Sequence, residues 1–163
     1  MRAAVGLLVG LGLLWATQAS AQFSEASTKR AVTIRTTSPV LKKCQTWTRG
    51  GCFRILLELS GTTDDPVAVG YDLNRGYMGD SHAYITSGVA CTPAMVSGIA
   101  VNYSNRQWTK VGRTTPARAI VDFGCDGPVR SGDTVLIDLS FWLASSGGDN
   151  AVERFAFPQL TVR

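Results

Sequence analysis

Gly79-Asp80-Ser81-His82 places a carboxylate, a hydroxyl and the chain's only imidazole at consecutive positions. These are the groups of a nucleophile and its base, but their spacing works against them. Adjacent side chains of an extended segment point to opposite faces, so Ser81 and His82 cannot easily share the hydrogen bond that activates a serine. Paired carboxylates offer a second chemistry, since glycoside hydrolysis needs two acids across a cleft. Asp64, Asp65, Asp80, Asp126, Asp133 and Asp149 mostly stand beside Gly, Pro, Ser or Thr, where aspartate builds turns. Asp122 and Asp138 instead fall inside apolar runs and are expected on outward strand faces. Asp72-x-Asn74-x-Gly76 has part of the spacing of a calcium loop but lacks the next ligand and the closing Glu, so it reads as an Asx turn. No metal site and no cofactor are expected, and neither a phosphate-cradling nor a dinucleotide motif is present. Catalysis is not expected.

The triplet Gly79-Asp80-Ser81 resembles the nucleophile block of a lipase and esterase family. That family also needs a histidine near its C-terminus, following an aspartate, and this chain has none there. Cys44, Cys52, Cys91 and Cys125 contain no Cys-x-x-Cys, which argues against a redox pair or a zinc ribbon. Their context comes from the start of the chain. Met1-Arg2 is a short positive segment, Ala3 to Trp15 is apolar, and Ala19-Ser20-Ala21 is the small-x-small pattern that signal peptidase reads. The apolar run falls short of the roughly 20 residues that span a bilayer. Residues 1–21 are therefore expected to be a signal peptide, and the mature protein to be secreted or periplasmic, without a membrane span. Four cysteines in an oxidising compartment form disulfides. Three pairings are possible; Gly50-Gly51 is a turn signal that would bring Cys44 to Cys52, leaving Cys91 with Cys125.

Aromatic residues give the best binding signal. Tyr71, Tyr77, Tyr84, Tyr103 and Trp108 cluster in the middle third with Arg106 and several asparagines. Aromatic faces beside amide and guanidinium donors stack on sugars or grip a peptide, and Tyr, Trp and Arg favour interface anchors. These six residues are the candidate site, against the alternative that some of the rings fill the core. Sixteen basic and twelve acidic residues leave a formal charge of +4, too little for a nucleic-acid partner.

The elements that must carry these residues are strands. Phe53, Ile55, Leu57 and Leu59 alternate with Arg54, Leu56, Glu58 and Ser60. Val135, Ile137, Leu139, Phe141 and Leu143 share one face of Thr134 to Leu143, opposite Leu136, Asp138, Ser140 and Trp142. Further candidates are 31–36, 67–72, 82–86, 94–101, 107–110, 118–123, 151–157 and 159–163, with Pro158 marking a bulge or an edge. Polar, glycine-rich turns separate them, as at 61–66, 127–133 and 145–150. No long run shows helical periodicity. The expectation is one domain over 31–163, a disulfide-stabilised all-β antiparallel β-sandwich, preceded by a flexible N-terminal arm at 22–30.

The order of core strand, polar turn and outward strand from Phe53 to Val69 returns in Arg118 to Phe123 and Thr134 to Leu143. This order resembles the small immunoglobulin-like accessory sandwiches of the bacterial envelope. The resemblance implies a non-catalytic binding or interaction module that recognises a protein or glycan. A secreted inhibitor of a hydrolase is the alternative, and a small secreted hydrolase a more distant one.

Overall fold

A computed structural model describes residues 22–44, 50–72, 81–102, 108–144 and 150–163; the expected leader at 1–21 lies outside them. In chain order the strands are β1 (Glu25–Lys29), β2 (Val32–Thr36), β3 (Val40–Leu41), β4 (Cys52–Gly61), β5 (Val67–Asp72) and β6 (His82–Ile85). They continue as β7 (Ala90–Ser97), β8 (Val101–Asn102), β9 (Thr109–Val111), β10 (Ala117–Cys125), β11 (Thr134–Ala144) and β12 (Asn150–Thr161). None of the described residues is helical, so none forms a helix long and apolar enough to cross a membrane. The fold is all-β, and every pairing is antiparallel except the short contact of β5 with β8.

Hydrogen-bonded neighbours run β1-β2-β4-β10-β7-β6-β11-β5-β8, with β12 on β11, β3 on β4 and β9 on β5. Arg163 accepts from Leu41 N at 2.9 Å and donates to Pro39 O at 2.8 Å, which brings the end of the chain back beside β3. The path from β4 through β10, β7, β6, β11 and β12 thus returns to β4 by way of β3. Alternation explains the interior. Ile55, Leu57, Leu59, Val121, Phe123, Ile137, Leu139, Phe141 and Phe155 are fully buried members of one apolar cluster, and their strand neighbours face outward. In β12 the alternation would fail after Phe157, but Pro158 and Gln159 form a bulge opposite Leu136. Gln159 takes a positive φ of 58°, and the extra residue returns Leu160 and Val162 to the core. A second irregularity, in β7, lies between Pro93 and Met95, at the step where a proline without an N–H can be accommodated.

Both expected disulfides are present, and no cysteine is free. Asp126 N donates to Ala90 O, so the adjacent pair Cys91 and Cys125 is the non-hydrogen-bonded one, where side chains approach most closely. Their Cα atoms are 4.0 Å apart. Gly50 and Gly51 do more than permit a turn. Gly51 O accepts from Cys125 N at 3.0 Å and Gly51 N donates to Gly127 O at 2.7 Å. A Cβ on Gly50 would stand 2.3 Å from Cys125 O, so the pair is needed for close backbone approach to the end of β10.

The N-terminal arm differs from expectation. Residues 25–29 are not loose but form β1, paired along its length with β2. The sequence Glu-Ala-Ser-Thr-Lys has no apolar alternation because the strand lies at one end of the hydrogen-bonded path and contributes nothing to the core. A tight turn at Arg30 and Ala31 joins it to β2, both residues holding positive φ, and Arg30 Nε meets Glu153 at 2.6 Å.

Candidate binding faces

Of the six residues in the candidate site, Tyr77, Tyr103 and Arg106 lie outside the described residues. Tyr71 belongs to the core. It shares the inward face of β5 with Val67 and Val69, is fully buried, and meets Phe141 edge-on at 5.4 Å between ring centroids. Burial pushes its phenol well above the usual range, with the neighbouring Ser81 opposing that shift in part. Tyr71 therefore offers no surface to a ligand.

Tyr84 stands on an outward face, whereas Trp108 lies just before β9. Tyr84 stands opposite Leu136 in the β6–β11 register, and the two side chains are 49% and 43% exposed. His82, two residues earlier, packs edge-on against Tyr84 at 4.9 Å and lies opposite Asp138. Farther along β11, Trp142 faces Gly70 of β5. Trp142 and Trp108 are both half-buried. From Leu136 to Trp142 this aromatic row extends about 20 Å at the rise of a strand. Asp138 Oδ2 is neutralised by Arg154 at 2.9 Å, so the centre of the row carries little net charge.

The serine expected to be unfit as a nucleophile is occupied structurally. Ser81 is buried, and its Oγ accepts from Ser140 N at 2.8 Å. That bond fills the gap on the edge of β11 between the residues paired with β6 and those paired with β5. No group of three or more metal-ligating side chains occurs among the described residues. Leu136, Trp142 and Arg154 were not among the expected site residues. The signal for them was present: Leu136 and Trp142 hold the outward positions of a strand whose inward positions are already filled with apolar residues.

The outward face of β4, β10 and β7 is built differently. Asp122 points outward in register, as expected, yet it is buried beneath two cations. Arg54, its cross-strand partner, donates through Nε at 2.7 Å and Nη2 at 3.0 Å, and Lys42 Nζ donates to Oδ2. Burial pushes the Asp122 carboxyl up, but the hydrogen bonds from Arg54 and Lys42 outweigh it and hold the group below the usual carboxylate range. The same contact raises Arg54. No protein-family model matches the chain and no curated protein matches it.

Proposed function

We propose that the protein is an exported, non-catalytic binding module of the cell envelope, whose aromatic face on β6 and β11 takes a glycan or a protein surface, with the glycan favoured. The observation that carries this reading is the exposed Tyr84–Leu136 pair, continued by Trp142 along one outward row. Flat aromatic surfaces suit the C–H faces of sugar rings, and His82, Asp138 and Arg154 supply hydrogen-bonding groups for hydroxyls. The neutral Asp138–Arg154 pair suits an uncharged ligand. Two disulfides support an oxidising compartment, and hence secretion or the periplasm. Burial of the Ser81 hydroxyl supports a role without acyl transfer. The immunoglobulin-like sandwich and its envelope resemblance belong to the same proposal.

Co-sedimentation with insoluble envelope polysaccharide tests it. The wild-type protein should pellet, and Tyr84→Ala should remain in the supernatant with its melting temperature unchanged. Recovery of a protein instead of polysaccharide would move the ligand class, and recovery of a hydrolase with its activity lost would favour an inhibitor. Turnover of ester or glycoside substrates that depends on Ser81 or on a pair of carboxylates would overturn the reading.

A further inference from the structure

A groove of about 300 Å³ opens on the other outward face, lined by Phe23, Leu56, Gly98, Arg118, Ala119 and Ile120. Leu56 and Ile120 are cross-strand partners in β4 and β10, half-buried on the outward side. Phe23 forms one wall and is held there by Arg35, whose Nη2 donates to Phe23 O at 3.0 Å. Gly98 closes one end. Its φ is +88° and a Cβ would fall 2.4 Å from Arg118 O, so only glycine lets the turn after β7 lie this close to β10. Around this apolar floor the charges are unequal. Arg35, Lys42, Arg54 and Arg118 face only Glu58 and Asp122 on these strands. The Arg118 side chain is 79% exposed and reaches Glu58 at only 3.4 Å, which leaves its other donors open to solvent.

An apolar groove with a cationic rim repels a second copy of the same face and favours an acidic occupant. The groove is roomy enough to admit an aliphatic side chain. It is partly open to solvent, which suits a side chain of a bound peptide rather than an enclosed acyl chain. We propose that this groove is a second binding site, for an acidic, aliphatic segment of a partner protein. Such a segment inserts an apolar side chain between Phe23, Leu56 and Ile120 and sets a carboxylate against Arg118. The site is independent of the aromatic face, and the protein would then join two ligands across its fold.

Nuclear magnetic resonance titration of the isotope-labelled exported protein is the test, with an acetylated, amidated pentapeptide alternating glutamate and leucine as the probe. Amide shifts should concentrate at Leu56, Gly98, Arg118 and Ile120, and should weaken with added salt. Arg118→Glu should reduce affinity by about tenfold or more, as should exchange of the peptide's glutamates for lysines. Tyr84→Ala should leave this affinity unchanged. If Arg118→Glu fails to fold, Arg118→Gln supplies the same comparison with a smaller loss. Absence of shifts at millimolar peptide, equal binding of the lysine peptide, or shifts centred on Tyr84 would each overturn the proposal. Binding to vesicles of anionic lipid without any peptide response would overturn it in favour of a membrane surface.

Discussion

On the β4–β10–β7 side, Asp122 is sealed beneath Lys42 and Arg54, and each disulfide has at least one end on these strands. On the β6–β11–β12 side, Tyr84 and Leu136 stand open to solvent, and no cystine reaches the outward row. The first side is locked by covalent and ionic contacts that join segments distant in sequence. The second is held mainly by its inward residues, with the Asp138–Arg154 pair on its outward row, so Tyr84 and Leu136 are available for recognition. The contrast separates two tasks that a small domain must otherwise share, because an exposed aromatic row contributes little to folding and needs a scaffold stabilised elsewhere.

The largest expected effect is removal of the Cys91–Cys125 bond. Its loop spans a sequence separation of 34 against 8 for Cys44–Cys52. Loop entropy then predicts about 3–4 kcal/mol for the first bond and about 2.5 kcal/mol for the second. Calorimetry should show a larger drop in melting temperature for Cys91→Ala/Cys125→Ala than for Cys44→Ala/Cys52→Ala; the reverse order would break the entropy argument.

Next comes the ion cluster. Asp122→Asn removes charge-assisted bonds from two cations and should cost about 2 kcal/mol. Because the folded Asp122 carboxyl lies below its unfolded value of about 3.9, its contribution is complete above that pH and is lost as acidity carries the solution through the folded value. Urea midpoints between about pH 6 and pH 2 should therefore fall more steeply for the wild type than for Asp122→Asn. Coincident acid limbs would show that the cluster adds nothing to the locked side.

A smaller change, of opposite sign, is expected at the β1–β2 turn beside that face. Ala31 holds a φ of 62°, so Ala31→Gly should stabilise by about 0.5–1 kcal/mol by relieving backbone strain. A lower urea midpoint would mean that the methyl group packs more strongly than the turn is strained. The smallest stability effect belongs to the aromatic row. Tyr84→Ala and Leu136→Ser should remain within about 0.5 kcal/mol of the wild type. A loss well beyond that would make these residues structural and erase the contrast between the faces.

Much of the fold is legible wherever burial imposes a period of two. The strand at Val67–Asp72 has the expected bounds, and β4, β10 and β11 extend beyond theirs by no more than two residues at either end. Strands that bury nothing leave no such trace, which is why β1 reads as a loose arm. The strand expected at 94–101 instead runs Ala90–Ser97, with Pro93 accommodated beside the bulge. The candidate site is legible in part. Tyr71 falls in step with Val67 and Val69, and that phase marks it as core. The burial of Asp122 has no local signature, because Lys42 arrives from a position 80 residues away.

The break between β5 and β6 carries a further consequence. The chain leaves one edge of β11 after Asp72 and rejoins the same edge at His82, with Ser81 filling the gap between. Departure and return are fixed by pairings that do not depend on what lies between them. Additions or deletions within 73–80 would leave the register of every strand intact, since loop closure costs rise only slowly with length. The position is a port for variation: descendants of this chain, natural or designed, can exchange the sequence between Asp72 and Ser81 on an unchanged frame.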